Sequence, residues 1–359
     1  MKHAEPGTVV VVFLRGGADG LTLVPPVGDD DYHRERPHLA VTPGAAVRLD
    51  GLFGLHPALR GLEPLYAEGL LTVVPACGSD DDTRSHFEAQ DLMEQGGRNE
   101  AGGFLGRFLR ARREGGGPLP AVAIGASLPL SLLGAPGAVA LRSIDELSLG
   151  QSQRPLVPAL RDLYAGDSLL GESAEEALGA LQTLERLQAE PRRVASGVAY
   201  ADDDFSTGLS LVARLIKEDL GLRAACVDLP GWDSHALQAQ VMEPLMRSLS
   251  TGLLAFARDL GPRLGHTSVV VLTEFGRRLG ENSALGTDHG RGSVMLLVGG
   301  GTRGGVQGVW PGLGPSALEG PGDVTVANDF RDVLASVFSR HRASVPGLLE
   351  ARPRAAAFG

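Results

Sequence analysis

Cysteine is scarce: the 359-residue chain holds only Cys77 and Cys226, each at or inside an apolar run. Such thiols read as buried and free, so no disulfide framework is implied. Long apolar runs are missing too. No stretch approaches the roughly 20 residues that a membrane-spanning helix needs. The first apolar run, Val9 to Leu14, is too short and β-branched for a signal-peptide core, and no small-residue cleavage site follows it. It is expected to be the first strand. Positive charge is also outweighed, with 33 Lys and Arg against 43 Asp and Glu and a formal net charge of −10. Nucleic-acid binding rests largely on clustered cations, so a nucleic-acid partner is not expected. As given, the chain is expected to be soluble and cytoplasmic, with no membrane span.

What is present is a globular composition, 43% apolar, with 50 glycines and 23 prolines falling mostly between apolar runs. Continuous apolar runs of strand length recur near Val73, Val122, Cys226, Val270 and Leu296, as expected of strands buried on both faces of a sheet. Helical patterns lie between them. Leu209, Val212, Leu215 and Ile216 share one face of a helix ending before Gly221. A longer helix is expected from His235 to Leu260, kinked or interrupted at Pro244, and a closing helix from Asn328 to His341. The fold class is therefore α/β: a mostly parallel central sheet with helices on both faces, in one domain. Residues 127–201, with weaker strand signals and one charged helical stretch, read as an elaboration or cap.

In open α/β sheets ligands bind beyond the carboxyl ends of the strands, so polar residues after each apolar run carry the functional signal. Asp19 follows the first run, and Thr83, Arg84, Ser85 and His86 follow the second. Asp233 and His235 follow the run near Cys226, Glu274 the run near Val270, and Asp288 and His289 lie between glycines shortly afterwards. Each has an ordinary alternative. Asp19 suits a turn, Asp233 or Ser85 an N-cap, and Glu274 a solvated loop paired with Arg277 or Arg278. Together, imidazoles and carboxylates suit Zn²⁺ or Mn²⁺, as one or two ions.

The segments VVVFLRGGADGL, TRSHFEAQD, GWDSHALQ, VLTEFGR and TDHGRGSVMLLVGGG resemble, in this order, those of a bacterial family known as domain of unknown function 1501. That family is placed in the alkaline-phosphatase-like superfamily, with sulfatases and cofactor-independent phosphoglycerate mutases. The resemblance implies an alkaline-phosphatase-like fold. It also implies a metal site in which Asp19, Ser85 and Glu274 hold one ion and Asp233, His235 and His289 the other, with Asp288 in either shell. Glu274 and Phe275 stand where the superfamily pattern has Asp and His. The sulfatase modification motif, Cys-x-Pro-x-Arg or its Ser form, is absent near Cys77 to His86.

A metal-dependent phosphate-ester hydrolase is expected, with sulfate esters disfavoured and Ser85 as nucleophile ahead of Thr83. Arg84 would steady the oxyanions, and His86 would be a ligand or general acid. The partner would be a small-molecule or saccharide ester. The alternatives are a non-catalytic metal- or saccharide-binding relative, or a structural protein whose polar clusters only cap helices. Relatives often carry a twin-arginine export signal, which makes an exported protein the alternative compartment.

Overall fold

The structure, a computed structural model, describes residues 7–97, 100–112, 117, 119–143, 156–164, 168–189 and 194–348. Its centre is a nine-stranded sheet. The strands are β1 Thr8–Arg15, β2 Leu71–Gly78, β3 Ala121–Ile124, β4 Ala138–Leu141, β5 Ala224–Pro230, β6 Thr267–Leu272, β7 Ser293–Gly299, β8 Gly305–Val306 and β9 Asn328–Asp329. They lie in the order β8-β2-β7-β6-β1-β5-β3-β4, with β9 also pairing with β2. All pairings are parallel except those of β7, which runs antiparallel to both β2 and β6.

The six apolar runs of the sequence are β1, β2, β3, β5, β6 and β7. The reason is visible in β1, whose valines alternate between two separate apolar layers. Val10, Val12 and Leu14 pack with Leu209, Val212, Met246, Leu249 and Phe256. Val9, Val11 and Phe13 pack with Phe104, Phe108, Val333 and Phe338 on the other face. A strand covered on both sides cannot alternate polar with apolar, so it reads as one continuous run.

The covering helices are α1 His86–Gln95, α2 Phe104–Ala111, α3 Asp204–Lys217, α4 Gln238–Leu260 and α5 Phe330–Arg340. Helix α3 is the one marked by Leu209, Val212, Leu215 and Ile216, all buried. Of the kink or interruption expected at Pro244, the interruption does not appear, because α4 runs through that residue. In the 127–201 elaboration, the described residues hold a 3-10 turn at Leu130–Leu132, β4 and two α-helices, Leu156–Tyr164 and Ser168–Ala189. Residues 144–155, 165–167 and 190–193 of that segment lie outside the described residues. Among the described residues no helix is long and apolar enough to cross a membrane. Both cysteines are buried and free.

Candidate metal centre

The candidate side chains arrive at one edge of the sheet by two routes. Parallel strands present the loops at their carboxyl ends: β1 leads to Gly16 and Gly17, β2 to the loop before α1, β5 to Asp233 and His235, and β6 to Glu274. The antiparallel β7 presents the loop at its amino end. Ser293 at its start pairs with Cys77 near the end of β2, which brings Asp288 and His289 to the same edge. Two glycines let the loops close. Gly16 has φ +122°, and a Cβ there would lie 2.3 Å from the Asp233 amide nitrogen. At Gly17, with φ +66°, a Cβ would lie 2.6 Å from the Phe275 ring. Any side chain at either position would push the loops apart.

Three imidazoles and one carboxylate converge at this edge. His86 Nε2 stands 3.0 Å from His289 Nε2, and His235 Nε2 also stands 3.0 Å from His289 Nε2. Asp233 Oδ1 is 3.3 Å from His86 Nε2, 3.1 Å from His235 Nε2 and 3.3 Å from His289 Nε2. His86, Asp233 and His289 form a group with metal-ligating spacing. In a tetrahedral site with Zn–N bonds of about 2.0–2.1 Å, neighbouring ligand atoms sit about 3.3 Å apart by simple geometry. The observed separations have that size.

The remaining nitrogens fix the tautomers. His86 Nδ1 lies 2.8 Å from Glu274 Oε1, and His289 Nδ1 lies 3.0 Å from the Arg84 carbonyl oxygen. Both partners are acceptors, so each Nδ1 carries a proton and each neutral ring turns an Nε2 lone pair toward the other. Two lone pairs at 3.0 Å repel unless a cation lies between them. A proton could bridge one of these contacts. A metal ion satisfies the His86, Asp233 and His289 atoms at once, so this donor set fits such an ion.

Surrounding groups hold the set in place. Glu274, buried after β6, also accepts from the Gly16 amide and from Gln90 Nε2, both at 2.9 Å. Arg277, buried as well, donates to Asp233 Oδ1 at 2.9 Å and to the carbonyls of Gly16, Gly17, Trp232 and Thr287. Phe275 adds an apolar wall, its ring 4.8 Å from those of both His86 and His289.

Charge is distributed unevenly across the rings. The hydrogen bond to Glu274 raises the His86 pKa against the pull of burial, with Asp233 adding to the rise. Burial lowers that of His289, and the positive charges of Arg277 and His86 lower it further. At Asp233 burial acts upward, but the hydrogen bond and positive charge of Arg277 outweigh it and hold the carboxyl at about 2. The site keeps a carboxylate ready to bind a cation across the ordinary pH range.

Of the residues the sequence singled out, His86, Asp233, His235 and His289 come together, with Glu274 directly behind His86. Asp19 stands apart. Its buried carboxylate caps the short helix Gly20–Leu23 and takes hydrogen bonds from Arg36 (2.5 Å), Gln238 (2.7 Å) and Thr22 (2.8 Å). Asp288 is half exposed, 3.1 Å from Arg278 and 3.9 Å from His235 Nδ1. Arg84 turns its guanidinium to the buried Asp323. Ser85 is exposed at the N-cap of α1, where its side chain makes no capping hydrogen bond, while Thr83 Oγ1 donates to Glu88. Sequence reasoning gave no site role to Arg277 or Gln90. The only signal for them was their presence in the EFGRR and HFEAQ segments.

No curated protein matches the chain. A family profile described as "Protein of unknown function (DUF1501)" matches residues 75–353. Similar solved structures include a protein of the alkaline phosphatase superfamily from Vibrio parahaemolyticus, at 11% identity and TM-score 0.41, covering 98% of this chain and 72% of that one. The C-terminal periplasmic domain of EcEptC from Escherichia coli, in complex with Zn, is similar at 9% identity and TM-score 0.40, covering 83% and 74%. The PsFucS1 sulfatase from Pseudoalteromonas sp. is similar at 11% identity and TM-score 0.40, covering 95% and 68%.

Proposed function

The chain belongs to the DUF1501 family, and we propose that its sheet-edge cluster is a divalent-metal centre serving hydrolysis of phosphate esters. The observation that carries the metal reading is the pair of facing lone pairs on His86 and His289. His86, Asp233, His289 and His235 would hold the ion, with Zn²⁺ ahead of Mn²⁺ for three imidazoles and one carboxylate. When bound, such an ion supplies Lewis-acid polarisation of an ester oxygen and favours ionised hydroxyl groups nearby.

The chain itself would supply the nucleophile and its setting. Ser85 adjoins His86 at the start of α1, exposed and not used as a cap. Its Oγ would lose its proton and form a bond to phosphorus as the ester oxygen leaves with the electron pair and takes up a proton. Water would then cleave the phosphoserine, releasing phosphate and restoring the hydroxyl. The amino end of α1 favours negative charge at that place. Arg84 would need to leave Asp323 to reach a phosphoryl oxygen. A small-molecule or saccharide ester fits the half-exposed rim around Asp233 and His235.

One observation favours a second reading, a metal protein without turnover. His235 Nε2, 3.0 Å from His289 Nε2 and 3.1 Å from Asp233 Oδ1, would add a fourth protein donor to the ion, as in structural sites, whereas catalytic zinc usually keeps one position open. The half-exposed His235 is the ligand best placed to yield. The two readings separate on a chromogenic phosphate monoester assayed with metal-loaded protein. Hydrolysis lost in Ser85→Ala and mostly retained in Thr83→Ala supports the hydrolase. Metal binding with no turnover supports the second reading, and efficient aryl-sulfate cleavage would reverse the choice of ester.

A further inference from the structure

Eight large apolar side chains are exposed among the described residues, and four of them, Phe87, Leu237, Val241 and Leu285, lie in the chain segments that carry the candidate donors. Phe87 directly follows His86 and is 86% exposed. Leu237 lies two residues beyond His235, and Val241 lies one helical turn further, its amide bonded to the Leu237 carbonyl. Leu285 comes from the loop before Asp288. That loop is strapped to the Leu237 segment by hydrogen bonds from Leu237 N to Ala284 O and from Gln238 N to Leu285 O, both 2.9 Å. At Gly286 a Cβ would lie 2.3 Å from the His235 carbonyl carbon, so the loop rests directly on the His235 backbone.

Both leucines also hold left-handed backbone, with φ +47° at Leu237 and +58° at Leu285. A Cβ disfavours that conformation, and glycine or asparagine normally occupies it. These side chains are not repaid by burial, since both remain exposed. Strained positions that persist without packing gain cluster at ligand sites.

We infer that Leu237, Val241 and Leu285 form the seat for an apolar group of the substrate, so that the preferred esters carry an alkyl or aryl group beside the phosphate. This rests on the metal-ester reading above. Continuity decides the occupant: the patch begins two residues from His235, and the Leu285 loop rests on the His235 backbone. Phe87 borders the centre from the α1 side.

The test is a calorimetric titration of the full, Zn²⁺-loaded chain with inorganic phosphate and with methyl, butyl and octyl phosphate. Affinity should rise with chain length by about two- to fourfold per methylene until the patch is covered. In Leu237→Gly/Leu285→Gly that rise should collapse, while the melting temperature stays equal or increases because glycine relieves the left-handed strain. A rise with chain length that survives in the double variant overturns the seat, as does equal affinity for all four ligands in the parent chain. Failure to bind any of them, inorganic phosphate included, counts against the metal-ester reading itself and removes this inference with it. A dimer abolished by the double variant would give the leucines to a second copy and overturn the inference too.

Discussion

His86 Nε2 faces His289 Nε2 across 3.0 Å while the Nδ1 atoms of both rings are engaged by acceptors. The relationship is unfavourable for two neutral imidazoles and favourable once a cation sits between them. Their pKa values move in opposite directions, His86 upward through Glu274 and His289 downward through burial. Of the two rings, His86 is the more readily protonated.

Metal removal should destabilise the fold. An ion that binds only the native state adds about 2.7 kcal/mol at a free concentration 100 times its Kd. Chelation should lower the melting temperature and Zn²⁺ should restore it, with elemental analysis giving one ion per chain. His289→Ala and Asp233→Ala should lose most of the response. A chelation shift of equal size in the Asp233→Ala/His289→Ala double mutant would place any ion elsewhere.

Glu274→Gln probes the group behind the ligand. The carboxylate fixes the His86 tautomer and orientation through Nδ1 and is itself held by Gly16 and Gln90. Loss of such a partner typically weakens metal affinity by about 10- to 100-fold. Competition against a fluorescent zinc chelator measures it, and an unchanged affinity would deny Glu274 this role.

Much of the fold was legible in the sequence, because strands covered on both faces leave an unmistakable run, and the side chains that meet at the sheet edge lie just beyond strands. Asp233, His235 and His86 were found that way. His289 is at the edge for a different reason, the antiparallel direction of β7, which periodicity cannot report. Asp19 shows the limit more sharply: its partners Arg36 and Gln238 lie 17 and 219 residues away, so its pairing depends on tertiary structure. Arg277 was hidden because its acceptors, on Gly16, Gly17, Trp232, Asp233 and Thr287, converge on it only after folding. Asp29 and Asp203, each within a run of three aspartates, cap helices.

The Asp19–Arg36 pair should matter for stability and little for metal. Burial pushes the Asp19 pKa up, but Arg36, Thr22 and Gln238 outweigh it and keep the carboxyl ionised. Arg36→Met would leave that charge buried without its partner, which typically costs about 3–5 kcal/mol. Urea unfolding should show the loss while elemental analysis shows unchanged metal content. Should Arg36→Met fail to fold, Asp19→Asn gives the same comparison. Loss of metal from folded Asp19→Asn would bring Asp19 into the centre.

Acid should weaken the opposite end of the molecule through a single histidine. His341 caps α5, buried, with Nε2 3.0 Å from Ser268 Oγ. Burial lowers its pKa to about 4, helped by the charges of Arg112 and Arg340 and opposed by a hydrogen bond with the Gly7 backbone. The unfolded chain takes up this proton near 6.5, whereas the folded chain does so only near 4. Stability from the neutral ring is therefore complete above pH 6.5 and drains away as the pH falls from 6.5 to 4, by as much as roughly 3 kcal/mol. Replacing His341 with Gln, which can still reach Ser268, removes the titration. Denaturant unfolding at pH 7 and pH 5 should then show a smaller acid loss in His341→Gln than in the parent chain. Equal losses in the two proteins would mean that this histidine does not set the acid limb.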